Sequence, residues 1–168
     1  MNKVISQNII RFIVLVLVQV GILNHINFLG DINPYLYVLF IILFPLRNNR
    51  LAFLIIVFFL GLSIDMFSDT GGIHAGASVF LAYIRPLITK FSFGTLNEFY
   101  SVKFNNIDFA KRLIYIVIIV FIHHLMMFSL EYFSFTHIIT ILKHTLLSGL
   151  FTTILILLTT TIFSNNSK

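Results

Sequence analysis

Basic residues return after every second apolar stretch in this chain, and that rhythm limits what the chain can fold into. A helix that crosses a hydrocarbon layer about 30 Å thick needs about 20 largely apolar residues. Six stretches come near that length, at about Ile9 to Leu29, Ile32 to Leu46, Leu51 to Phe67, Ile73 to Ile88, Leu113 to Tyr132 and Ile138 to Phe163. Lys3 and Arg11 open the first, Arg47 and Arg50 part the second from the third, and Arg85, Lys90, Lys103, Lys111 and Arg112 surround the segment between the fourth and fifth. Lys168 ends the chain, and Lys143 alone falls on the other side. Lys and Arg collect in short cytoplasmic loops, so the pattern predicts six crossings with both termini in the cytoplasm. The second stretch is short. Reading it as a re-entrant loop would put Arg47 and Arg50 outside, so it is read as a span that begins at Ile32 and crosses where the bilayer is locally thin.

Composition agrees with this reading. Of 168 residues 58% are apolar and 10% are charged, against about 25% charged in a soluble domain. So much apolar surface exceeds what a core of this size buries, which excludes a water-soluble globule and requires lipid to cover the remainder. The longest polar stretch, about Ser92 to Phe109, is no larger than a loop, so residues 1–168 read as one integral membrane domain. The first apolar run has no small-x-small cleavage pattern and is read as a retained helix. With no Cys there are no disulfides, thiol nucleophiles or thiolate metal sites.

Polar groups inside a bilayer are costly, and each is a candidate for a role. Asp65 stands out in the run Gly61-Leu62-Ser63-Ile64-Asp65-Met66-Phe67-Ser68-Asp69-Thr70-Gly71-Gly72-Ile73-His74-Ala75-Gly76. Gly61 and Asp65 are four apart and share a helix face, where the missing side chain of Gly61 admits a neighbouring backbone. Gly71 and Gly72 permit a tight turn with left-handed backbone angles. The next helix then begins with free amide groups and the positive end of its dipole. Asp65 or Asp69 is therefore expected to cap it and lock a helical hairpin at the outer surface. Gly72-x-x-x-Gly76, with Ala75, Ser78 and Ala82, predicts a close helix contact. Arg85, before Pro86, is expected to snorkel to lipid phosphates. His123 and His124 point about 100° apart and are read as interhelical hydrogen-bonding groups, and the threonines from Thr152 to Thr161 as bonding back to helix carbonyls. His25, His74, His137 and His144 cluster near the outer boundary without a metal-binding spacing, so neither a metal nor a cofactor is expected. No nucleophile sits with a base, and no reaction is expected. The basic residues follow the topology pattern and suit anionic lipid rather than nucleic acid.

The run from Gly61 to Ala75 resembles the hallmark stretch of the rod shape-determining protein MreD family. There, a helix ending in Gly-x-x-x-Asp is followed by a Ser/Thr-Gly turn and a helix containing His-Ala. The matching elements here are Gly61 to Asp65, Ser68 to Gly72, and His74-Ala75 leading to Tyr83, while Arg85-Pro86 departs from the small or apolar residues of that pattern. The resemblance implies a non-enzymatic scaffold of the bacterial cell-elongation and peptidoglycan-synthesis machinery (the elongasome) in the cytoplasmic membrane. It would bind an MreC-like protein and, through it, a RodA-type glycosyltransferase, a penicillin-binding transpeptidase and MreB-like filaments. It also implies an all-α, six-helix architecture similar to the substrate-binding subunits of energy-coupling-factor transporters. That kinship supplies an alternative, a vitamin-binding subunit with a cavity lined by Asn24, His25, His74 and His123.

Overall fold

The computed structural model describes residues 2–28, 32–45, 49–94 and 107–165. Asp31, Arg47, Lys103 and Lys168, and the expected ends of the first two spans at Leu29 and Leu46, lie outside the described residues. The described chain is all-helical. It comprises α1 (Asn2–Gly21), α2 (Val38–Leu43), α3 (Arg50–Ser68), α4 (Ile73–Phe93), α5 (Phe109–Tyr132) and α6 (Ile138–Asn165), with 3-10 turns at Leu23–His25 and Phe135–His137.

Four segments are long and apolar enough to cross a membrane: Ile5–His25, Arg50–Ser68, Phe109–Tyr132 and Ile138–Ile162. These are the features of a multi-pass membrane protein. Large apolar side chains stand on the outside of the bundle, with Leu17 65%, Phe91 78% and Ile139 80% exposed, which suits a lipid surround and not water. Helix α4 has 21 residues, about 31 Å at 1.5 Å per residue, but Arg85 and Lys90 make it less apolar. Local capping explains where the helices start. Asn49 accepts from the Leu51 amide and Asp108 from the Ala110 amide, so α3 and α5 begin at side-chain caps.

The chain runs up and down. Helix α3 packs on α4, α4 on α5 and α5 on α6. The second apolar stretch differs from its expected form. Of the described residues 32–45 only the six of α2 are α-helical, about 9 Å of rise. The approach is constrained by Pro34, which lacks an N–H, and the exit at Phe44 is extended with ψ of 134°. Tyr37 meets His74 in the first turn of α4, and Phe44 meets Arg85 eleven positions further on. The segment therefore runs alongside α4 in the same direction, about 16 Å at helical rise. Leu36 to Ile42 and Phe44 are all buried, so this stretch is the core around which the long helices close.

Non-helical backbone inside an apolar bundle needs partners for its N–H and C=O groups. Side chains from three helices provide them. Gln19 of α1 donates to the Pro34 carbonyl at 3.0 Å and accepts from the Tyr37 amide at 3.4 Å. Thr152 of α6 accepts from the Tyr35 amide at 2.9 Å. Arg85 of α4 donates through Nη2 to the Ile42 and Phe44 carbonyls at 2.9 and 2.8 Å, and through Nε to the Tyr115 hydroxyl at 2.9 Å. The expectation that Arg85 snorkels to lipid is thus corrected. Its side chain is 0% exposed and turned inward, because the carbonyl end of α2 offers oxygen acceptors and the negative end of a dipole.

Arg85→Ala leaves the buried Ile42 and Phe44 carbonyls without the donor that Nη2 supplies. Unfolding free energy is expected to fall by about 1–3 kcal/mol for each carbonyl left unsatisfied, read as a lower thermal midpoint of the purified chain in detergent. Arg85→Lys, a single ammonium facing three acceptors, recovers only part of it. An unchanged midpoint in Arg85→Ala would contradict this account of the segment.

Candidate functional site

The corner between α3 and α4 is built around one carboxylate. Asp65 Oδ1 accepts from the His74 amide at 2.9 Å and from Thr70 Oγ1 at 2.6 Å, while Oδ2 accepts from the Ala75 amide at 2.8 Å. Asp65 is 4% exposed. A buried carboxylate is tolerated when donors surround it, and here two free amides of the first turn of α4 add their dipole. Of the two aspartates offered as caps, Asp65 performs the task. Asp69 is exposed and closes α3 in the left-handed region, with φ of 54°.

The glycines divide the work. A Cβ on Gly61 would lie 2.5 Å from Ala75 Cα and 2.6 Å from the His74 carbonyl oxygen, so this glycine sets how closely α3 and α4 approach. Gly71 and Gly72 have φ of +61° and +98° with open space where a Cβ would stand; their role is conformational. The close contact expected from Gly72-x-x-x-Gly76 forms instead at Gly61 against Ala75, with Ser78 and Ala82 also buried. Gly76 is exposed and looks toward Leu130 of α5, where a Cβ would sit 3.2 Å from its Cδ1.

Beneath the corner a polar core links the helices. The Tyr37 hydroxyl lies 2.9 Å from His74 Nδ1 and 2.9 Å from His123 Nε2. His123 and His124 are both 0% exposed and serve different partners, as their angular separation requires. His123 reaches the central segment. His124 donates through Nδ1 to the Val120 carbonyl at 2.8 Å, leaving Nε2 to accept from Thr152 at 3.1 Å. Thr153, Thr159 and Thr161 bond back to their own helix at Gly149, Leu155 and Leu157. Thr152 departs from that habit and bridges α5 to the central segment. Gln19 and Asn24 join the network, which continues from Asn24 to Ser68 at 2.9 Å. Tyr37, Gln19 and Thr152 were not legible as a set. Their common signal is that each is a hydrogen-bonding side chain in an apolar stretch.

Above the corner a polar cavity of about 280 Å³ opens outward. Its polar lining includes Asn24, His25, Asn33, Ser68, His74 and Glu131. Among the described residues no three His, Cys, Asp or Glu side chains are grouped to hold a metal ion. His137 and His144 lie elsewhere, their rings 5.5 and 6.0 Å from that of Tyr132.

The two aspartates should respond oppositely. Asp65→Asn turns an amide NH2 toward a backbone N–H and is expected to lower unfolding free energy by about 1–3 kcal/mol. Asp69→Gly removes a side chain from a left-handed position and is expected to raise it by up to about 1 kcal/mol. Equilibrium unfolding of both variants in detergent measures the pair, and equal effects would refute the assignment of the cap. The chain matches no family model, no curated protein and no solved structure.

Proposed function

We propose that this chain is a non-enzymatic scaffold subunit of the bacterial cell-elongation machinery, of the MreD type, in the cytoplasmic membrane. It holds a fixed shape for an MreC-like single-span protein and, through that protein, for a RodA-type glycosyltransferase, a penicillin-binding transpeptidase and MreB-like filaments. The observation that carries this reading is how Asp65 is employed. Both of its oxygens are engaged in fastening the start of α4 to α3, at the run of residues on which the family resemblance rests. A carboxylate so engaged serves shape rather than reaction. The deeper polar groups, Gln19, Thr152 and Arg85, are likewise engaged with backbone.

Six crossings with both termini in the cytoplasm belong to the same reading. The segment 34–44 runs alongside α4, and in this topology it makes the second crossing as a broken span sheltered by the long helices. Basic residues then lie at one end of the bundle, with Arg50 at the start of α3 and Lys111 at the start of α5. Asp69, Glu131 and the cavity lie at the other.

Co-purification from native membranes tests the scaffold. A tagged chain is expected to retain an MreC-like protein, and Gly76→Leu, which adds bulk to an exposed helix face and presses on Leu130, is expected to abolish this, with the thermal midpoint measured alongside to separate lost contact from lost packing. Retention undiminished by Gly76→Leu would exclude that face, and no MreC-like protein among native cross-links would remove the proposal.

A second reading has one observation in its favour. Three of the four side chains expected to line a vitamin cavity, Asn24, His25 and His74, do line the outward cavity. A vitamin-binding subunit of a transporter requires saturable binding of a labelled vitamin to purified protein at micromolar concentration. A screen without such binding would leave the scaffold alone.

A further inference from the structure

At the basic end of the bundle an apolar groove of about 260 Å³ runs between α1, α2 and α3. Helix α1 lines it with Ile5, Asn8, Ile9 and Phe12, whose i, i+3, i+4 and i+7 spacing makes one helix face. Phe40 and Phe44 of α2 and Ile56 of α3 form the other walls, and the Phe12 and Phe40 rings meet edge to face at 5.8 Å. Asn8 is the one polar side chain in this lining. Arg11, one turn further on, reaches back to it, and its Nη1 donates to Asn8 Oδ1 at 3.2 Å. Ile5 and Ile9 are more than half exposed, and α1 is the least enclosed of the four membrane-length segments, so the groove opens toward lipid.

A guanidinium has donors only, so the Asn8 atom that meets Arg11 is the oxygen, and the Asn8 NH2 is left over together with the rest of the Arg11 fork. The rim of the groove therefore presents donors, and its side-chain acceptor is already engaged. The charge is not answered within the elements that build the groove. No Asp or Glu occurs from Met1 to Gly30 or from Ile32 to Ile64, which covers α1, α2 and most of α3. A half-buried cation beside apolar side chains draws an anion. We infer that the groove is a site for one anionic phospholipid, with its phosphate on Arg11 and Asn8 and an acyl chain lying along Phe12, Phe40 and Ile56.

Size and charge select this occupant. One turn of a partner helix, about 5.4 Å long and at least 10 Å across, fills about 400 Å³, more than the groove holds, whereas an acyl chain is slender. A phosphatidylcholine headgroup brings its own cation beside Arg11, while phosphatidylglycerol leaves its phosphate to the arginine. Arg50, at the same end, is differently employed. It donates to the Tyr83 carbonyl at 3.2 Å and lies 4.7 Å from the centre of the Tyr83 ring, so its charge serves to join α3 to α4. A lipid in the groove fills the gap between α1 and the central segment at the end opposite to Gln19, which holds the other end of α1 to Pro34. The inference is independent of which partner or ligand the chain serves.

The test is native mass spectrometry of the full, delipidated chain titrated with phosphatidylglycerol or phosphatidylcholine of identical acyl chains. The first phosphatidylglycerol is expected to bind about fivefold more tightly than the first phosphatidylcholine. Asn8→Asp keeps the hydrogen bond to Arg11, supplies an internal carboxylate and repels the phosphate, and should erase this preference. Arg11→Gln should do the same, so the reading stays testable if one variant fails to fold. Ile56→Trp fills the groove and should weaken both lipids alike. Lys111→Gln, which removes an exposed charge on α5, should leave the preference intact. Equal binding of the two lipids to the parent chain, or a preference that survives in folded Asn8→Asp or Arg11→Gln, would overturn the site. Loss of the preference in Lys111→Gln would also overturn it, since the lipid would then be held by the basic end as a whole.

Discussion

A stretch of backbone that is not helical, lying in the middle of an apolar bundle, must have its amides and carbonyls met, and most of the architecture answers to that constraint. In hydrocarbon an unmatched peptide group costs several kcal/mol. Residues 34–44 carry such groups at both ends of α2. Gln19 and Thr152 meet those at one end, and Arg85 those at the other. Because these side chains come from α1, α6 and α4, the same contacts that satisfy the segment fix the positions of three long helices around it. Three polar side chains, Gln19, Thr152 and Arg85, are spent in this way.

The Asp65 corner is a second solution to the same problem. The first amides of α4 have no partners within their own helix. In a soluble protein water would serve, but here a carboxylate from the preceding helix does. That choice demands close approach of α3 and α4, and hence a residue without a side chain at Gly61. It also demands a short turn through left-handed angles, which Gly71 and Gly72 supply. The corner is one device made of parts that are separate in sequence.

Much of this was legible before any coordinates. The apolar stretches at residues 51–67, 113–132 and 138–163 correspond to helices whose ends differ by a few residues, because Asn49 and Asp108 cap beyond the apolar edge. The cap by Asp65 and the angles of Gly71 and Gly72 follow from local spacing, which one sequence displays. Three features did not follow. The second stretch is mostly non-helical, since its composition is as apolar as a helix and what sets its form is the surrounding partners. Arg85 near the end of an apolar run has the same local signature whether it reaches outward to phosphate or inward to a carbonyl, and only the fold puts the buried carbonyl end of α2 within its reach. The line from His74 to His123 joins residues from three distant stretches, and periodicity within any one of them carries no trace of it.

The short central segment also bears on how the protein is made. At six residues α2 is too brief to be released into lipid as an independent helix. Synthesis runs from the N-terminus, so residues 34–44 emerge before Arg85 exists and long before Thr152. Their final burial must therefore wait for the second half of the chain, with the segment held in a polar or sheltered place until then. Assembly is completed from the C-terminal side, and a truncated product ending before α6 would carry the Tyr35 amide into the bilayer without its acceptor.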